Sequence, residues 1–231
     1  IMSDLELGMN DNLSEPLVWD DDRQYDRGKV LDAKTLDELP RFGRYLDVDG
    51  DGIGYRTYPG THPEKGAFFT RGTSRDEYAA YTESPEVYER NMQRLTRKWE
   101  TAAQLVPAAE ISSSGQRAGI LYYGTSALPM PEALDMLAEE GIHLDTMRVR
   151  AFPFGPEVYE FIAAHDVIFV VEQNRDAQMK TLLVTEGNLD PAQLVSVLYY
   201  GGLSISADTI QAQVSDYYTE HKLPRLTEVK S

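Results

Sequence analysis

Four stretches carry residue types dense enough to do chemistry. The run DVDGDGIGYRT sets Asp47, Asp49 and Asp51 at the first, third and fifth places of a calcium loop, with Gly52 at the sixth. The pattern breaks at the twelfth place, where a bidentate glutamate is needed and Tyr58 stands. Asp-Gly turns pinned by Asx hydrogen bonds explain it better. Gly50, Gly52 and Gly54 alternate there too, but Thr57 stands where a dinucleotide fingerprint needs its last glycine, and the flanking strand and helix are missing. The run from Glu172 to Gln178 places five polar side chains in a row at the carboxyl end of an apolar segment, where open α/β sheets hold ligands. Helix capping by Asn174 or Asp176, combined with subunit contacts, accounts for it equally well. Gly124-Thr125-Ser126 leads from a strand towards a helix, so its backbone N–H groups can hold an anion, though a plain strand-to-helix turn is the simpler reading. Finally, Arg90, Arg94, Arg97 and Lys98 cluster on one helix, as an anion site or, more simply, a solvated face.

Other chemistries are excluded by residue type. Without cysteine there is no thiol nucleophile, no disulfide, and no thiolate ligand for zinc or an iron–sulfur cluster. His62, His143, His165 and His221 are too scattered for a histidine-pair metal motif, and no nucleophile elbow or Walker loop is present.

The elements that position these residues follow from pattern. Ser84 caps and Pro85 opens a helix over 85–106, with Tyr88, Met92, Leu95, Trp99, Ala102 and Val106 on one stripe and the basic residues on other faces. Residues 108–115 read as a linker. Strands at 119–123, 147–152, 167–171 and 194–199 then alternate with helices at 131–140, 157–164, 177–185 and 207–217, which predicts a parallel sheet with right-handed crossovers. The run Val-Ile-Phe-Val-Val at 167–171 is apolar on both faces, the mark of a central strand. Residues 1–82 hold only short regular pieces, such as 33–39, yet carry Trp19, Tyr25, Phe42, Tyr45, Tyr55, Tyr58, Phe68 and Phe69. That many aromatics argues for an arm packed on something rather than for disorder.

The chain has 231 residues, 38 acidic against 22 basic, and a formal net charge of −16. This balance argues against nucleic-acid and anionic-membrane partners. No apolar run has membrane-spanning length and no signal peptide is visible, so a cytoplasmic protein is expected. Ile1 and Met2, with no initiating methionine, read as the end of a strand in a chain cut inside a domain.

The arm from YDRGKVLDAKTLDELPRFGRYLDVDGDGIGYRTYPGTHPEKG to RNMQRLTRKWE resembles the alpha subunit of 2-oxoacid:ferredoxin oxidoreductases, the 2-oxoglutarate type in particular. SDLELGMN is similar to the last strand and turn of that family's pyrimidine-binding thiamine domain, and GILYYGTS, RVRAFPF and VVEQNRDAQMKTLL resemble its transketolase-C-terminal-like domain. The resemblance implies an α/β, Rossmann-like parallel-sheet domain preceded by the tail of the thiamine domain and an irregular arm. It implies the tail and arm over 1–82, a linking helix over 83–110 and oxidoreductase core domain II over 111–231. It further implies oxidative decarboxylation of a 2-oxoacid to an acyl-CoA with electrons passing to ferredoxin. Thiamine diphosphate with magnesium, an iron–sulfur cluster and coenzyme A are then expected in a complex with a beta subunit, a dimer of heterodimers. This stretch of chain would supply assembly surfaces and hold no cofactor alone. The family's catalytic segment maps onto no residue here. Arg71 and Thr73 in the arm motif, with Asn174 and Gln178 beyond the central strand, are the candidate interface or substrate-side residues; a surface salt bridge is the alternative for Arg71. A non-enzymatic Rossmann-like assembly module, or a fragment of another transketolase-like thiamine enzyme, are the alternative readings.

Overall fold

The computed structural model describes residues 5–9, 11, 13 and 15–225. Two compact units emerge, one over 16–106 and the other over 107–225 with the described residues before 16. A five-residue helix α1, Leu5–Met9, stands where the resemblance placed a strand and turn. The expected strand end at Ile1 and Met2 lies outside the described residues.

The larger unit is an α/β sheet in the order β1-β3-β2-β4-β5. Its strands are β1 Glu110–Ser112, β2 Ala118–Tyr123, β3 Asp145–Val149, β4 Val167–Glu172 and β5 Leu194–Leu198. The last four run parallel, while β1 pairs antiparallel with β3 at the edge, Ile111 opposite Met147. The segment read as a linker thus contributes an edge strand; no apolar alternation announced it, because all three of its residues are exposed. β3 also starts earlier than its apolar run suggests. Asp145 is only 2 % exposed, yet it can open a strand because its carboxylate accepts from Ser113 Oγ, Ser114 N and Gly115 N.

All six residues of β4 are buried. Val167, Phe169 and Val171 face one core, shared with helices α4, Met130–Glu139, and α7, Ala207–Glu220. Ile168 and Val170 face a second core, shared with α5, Pro156–Ala163, and α6, Gln178–Gly187. Helices on both faces of a mostly parallel sheet make this a doubly wound, Rossmann-like arrangement. Burying the Phe169 ring alone contributes about 1.5–3 kcal/mol.

The smaller unit has little apolar core: Leu31, Leu36 and Ala79 are its buried hydrophobic residues. Its regular elements are α2, Ala33–Glu38, capped by Asp32, and α3, Pro85–Ala103, capped by Ser84. α3 ends at Ala103 rather than at Val106, since the residue before Pro107 disfavours the helical region. Long polar side chains on backbone carbonyls hold the rest together. Lys65 Nζ donates to the carbonyls of Leu36, Asp37 and Leu39 at 3.0 Å each, neutralising the end of α2. Thr101 Oγ1 donates to Asp51 O at 2.7 Å, and Arg94 Nη1 to Gly52 O at 2.8 Å. Gly52 sits at φ +79°, and a Cβ there would lie 2.2 Å from Lys98 N, so only glycine lets this turn touch α3.

α3 therefore packs with the face opposite to the one expected. Its basic residues meet the arm: Arg94 is buried, Arg97 pairs with Asp47 at 3.0 Å and Arg90 with Glu77 at 3.0 Å. Tyr88, Met92, Leu95 and Trp99 instead remain 39–50 % exposed. The solvated-face reading is overturned for Arg94 alone, which the irregular arm meets with a carbonyl; Arg90, Arg97 and Lys98 remain exposed, as that reading expects.

Candidate functional site

The strand order locates the first place to look. β2 passes to β3 on one side, and the chain then crosses to β4 on the other, so the topological switch point lies between the carboxyl ends of β2 and β4. A 3-10 turn, Gly124–Ala127, leaves β2 there, and Gly124 adopts φ +57° to make the bend. The buried hydroxyls of Thr125 and Ser126 follow. Gln173, one residue beyond β4, bridges the switch. Its Nε2 donates to Thr125 Oγ1 at 3.1 Å and to Ser126 Oγ at 3.3 Å, and its Oε1 accepts from Ile205 N at 3.3 Å.

Above this bridge lies a cleft of about 490 Å³, walled by Tyr123, Tyr199, Tyr200 and Leu203 and floored by Thr125, Ser126 and Gln173. Its chemistry is that of an amphipathic binding surface: phenol rings, two hydroxyls and a carboxamide. Burial pushes the Tyr123 phenol up, with the charge of Glu172 adding to it, so it stays protonated at neutral pH. Among the cleft residues no nucleophile is paired with a base.

The polar run after β4 is spent on structure. Glu172 is fully buried, and its carboxylate accepts from Met179 N at 2.7 Å and Lys180 N at 3.0 Å, occupying the N-terminus of α6. Asn174 Nδ2 donates to Glu172 at 2.8 Å, and its Oδ1 accepts from Asp176 N and Gln178 N. An anion-binding helix terminus is thereby filled by the protein's own carboxylate. Asn174 is half-buried in this network, whereas the Gln178 side chain is exposed at the start of α6.

In the smaller unit, Arg71 is exposed and has no ion-pair partner among the described residues, and Thr73 is exposed at the rim of a separate pocket. Arg71 and Thr73 thus belong to the smaller unit, and Asn174 and Gln178 to the larger. The aspartate turn is also accounted for. Asp51 Oδ1 accepts from Ile53 N at 2.8 Å, an Asx turn, while Asp47 Oδ1 accepts from Gly50 N and Gly52 N and Asp47 Oδ2 pairs with Arg97. Lys29 Nζ lies 2.6 Å from Asp49 and 2.7 Å from Asp51. Among the described residues no group of three histidines or carboxylates is arranged to hold a metal ion.

Sequence reasoning missed Tyr199, Tyr200 and Leu203 as cleft walls; the Gly201-Gly202 pair beside them, a turn signal after an apolar strand, was the available clue. It also missed the buried His165–Asp145 pair, 3.2 Å apart, whose residues are separated by 20 positions without a motif.

No family model matches the sequence. The alpha subunit of 2-oxoacid:ferredoxin oxidoreductase 2 from Aeropyrum pernix is 30 % identical over 168 residues, 70 % of this chain. This chain is a homologue of 2-oxoacid:ferredoxin oxidoreductase alpha subunits. It spans 26 % of that relative's length. A solved 2-oxoglutarate:ferredoxin oxidoreductase from Magnetococcus marinus, with 2-oxoglutarate, coenzyme A and succinyl-CoA bound, aligns with a TM-score of 0.67 at 22 % identity. The alignment covers 78 % of this chain and 31 % of that one, a likeness of fold. The α/β sheet expected from the strand–helix alternation is the one this alpha-subunit homologue adopts.

Proposed function

We propose that the chain forms part of the alpha subunit of a thiamine-dependent 2-oxoacid:ferredoxin oxidoreductase. Such a complex oxidatively decarboxylates a 2-oxoacid such as 2-oxoglutarate, passes electrons to ferredoxin and releases an acyl-CoA. The observation that carries this reading is the 30 % identity to the Aeropyrum pernix subunit, sustained over 168 residues. Within the complex, these residues act by assembly and positioning. The thiamine domain tail and arm over 1–82, the linking helix over 83–110 and the core domain II over 111–231 form the working division of the chain.

The donor set limits what this part can hold. With no cysteine, its residues do not fit an iron–sulfur cluster, so the cluster's ligands are assigned to residues outside this stretch. The aspartates at 47, 49 and 51 are already neutralised by Lys29 and Arg97, so they do not fit magnesium. Nor do the cleft residues supply a diphosphate cradle, because Glu172 closes the helix terminus beside them.

The exposed aromatics fit the assembly role. Trp19, Tyr25, Tyr58, Phe68 and Phe69 lie at the surface of the arm, and Tyr200 and Leu203 at the lip of the cleft. Aromatic side chains at such density are interface anchors, and a beta subunit is the partner they suit. The complex is expected to be a dimer of heterodimers acting in the cytoplasm. Co-expression of the polypeptide carrying this chain with its cognate beta chain tests the reading. A co-purifying complex that reduces a viologen dye only with a 2-oxoacid and coenzyme A supports it; a chain that purifies alone, or a complex inert to 2-oxoacids, counts against it.

A further inference from the structure

The small pocket against α3 is lined by two guanidinium groups that form no ion pair with a carboxylate among the described residues. It encloses about 230 Å³ and is lined by Tyr45, Thr73, Arg75, Asn91 and Arg94, with Tyr88, Met92 and Leu95 completing the wall. Arg94 is the decisive residue. It is 9 % exposed, its Nη1 is spent on Gly52 O, and its buried Nε has no hydrogen-bond partner among the described residues. Arginine is buried this far only when paired, as a rule. Here no carboxylate pairs with it among the described residues, although the chain holds 38 acidic side chains.

The neighbouring carboxylates are committed elsewhere: Asp47 to Arg97, Glu77 to Arg90, Asp49 and Asp51 to Lys29. Arg75 brings a second guanidinium. It donates to Gly72 O at 3.0 Å, and like Arg94 it lies over the Tyr45 ring, the two at 5.6 and 5.8 Å from its centroid. Asn91 Nδ2 holds the Arg75 carbonyl at 2.7 Å and fixes that strand of the arm against α3. Burial is the largest influence on Arg94 and opposes its charge; Asp47 supports the charge, Arg44 and Arg97 oppose it, and the net effect lowers its pKa. A cationic spot persists in a chain of net charge −16.

We infer that this pocket is an oxyanion site, taking a carboxylate or phosphate group between Arg75 and Arg94, with Thr73 at its rim. An anion there would meet guanidinium donors in a half-open pocket, and hydrogen bonds between ionised partners are stronger than neutral ones. The apolar wall of Tyr88, Met92 and Leu95 suits a ligand that carries its anion on a short apolar stem. The site stands independently of the reaction proposed above.

Calorimetric titration of the full chain with propionate and with inorganic phosphate, against matched chloride, tests it. One saturable site is expected, for either probe. Tighter binding of propionate identifies an acidic side chain or organic acid as the natural source, and tighter binding of phosphate a phosphate ester. Arg75→Met should weaken binding about tenfold without disturbing the Arg94–Gly52 contact. Arg94→Met should weaken it at least as much. Thr73→Glu supplies an internal counterion and should abolish binding while raising the unfolding temperature. No saturable heat with either probe, or binding left unchanged by both Arg75→Met and Thr73→Glu, overturns the inference.

Discussion

Lys29 places its ammonium 2.7 Å from the Asp51 carboxylate, and the same nitrogen lies 2.6 Å from Asp49. An amine thus supplies the positive charge that an aspartate-rich turn would otherwise take from a cation. Hydrogen bonding from Lys29, with that from Ile53 N, holds the Asp51 carboxyl below its ordinary value. A depressed carboxyl contributes stability above its unfolded pKa, and that stability is lost as pH falls through the folded value. Lys29→Met should lower the unfolding midpoint at neutral pH and shrink the loss on acidification. Calorimetry of the unaltered chain with calcium should show no saturable heat.

The carboxylate of Asp145 should dominate the acid response of the larger unit. Burial works against its ionisation, but the Ser113 hydroxyl, the backbone N–H groups of Ser114 and Gln116, and His165 outweigh it and hold the carboxyl well below its usual range. Its contribution is therefore complete above about pH 4, the unfolded value, and fades below it. Asp145→Asn should cost about 1–3 kcal/mol at neutral pH, because an amide nitrogen replaces one of the oxygens that accept from Ser113 Oγ, Ser114 N and Gly115 N. Denaturant titrations across pH should show the variant's deficit narrowing as the medium becomes acid.

Glu172 should behave as a helix cap delivered from a strand. Glu172→Gln replaces one of the two accepting oxygens by an amide donor, so either Met179 N or Lys180 N loses its acceptor, and should cost about 1.5–3 kcal/mol. The loss is read from the denaturant midpoint, with amide exchange rising first at the start of α6.

Ala177 precedes α6 in the left-handed region, at φ 49°. A Cβ there costs about 1–2 kcal/mol. Ala177→Gly should raise the unfolding temperature, since the relief of strain exceeds the entropy that glycine adds to the unfolded chain. An unchanged or lowered midpoint contradicts this.

Much of the sheet was legible because its signals are local. The run 167–171, apolar at every position, could only be a strand covered on both faces, and Ser84-Pro85 marked the start of α3 to the residue. β1 was not legible, since an exposed three-residue edge strand has no hydrophobic period. The orientation of α3 was misread for a deeper reason. Its stripe of Tyr88, Met92, Leu95 and Trp99 obeys helical spacing, but the arm it packs on is polar, so Arg94 turns inward to a carbonyl while Arg97, still exposed, reaches the Asp47 carboxylate. The glutamate that closes α6 and the glutamine that bridges β2 to β4 lay inside a flagged polar run, yet only the strand order shows what each contacts. Arg71 and Thr73 rested on resemblance, and no pattern in the residues predicted that Thr73 would border a pocket holding a buried arginine.

The measurement that bears most directly on the whole account is 2-oxoacid-dependent electron transfer by the assembled complex. The polypeptide carrying this chain, co-purified with its beta chain, should reduce viologen on addition of 2-oxoglutarate or a related 2-oxoacid together with coenzyme A. A stable, well-folded complex that reduces nothing with any 2-oxoacid would contradict it.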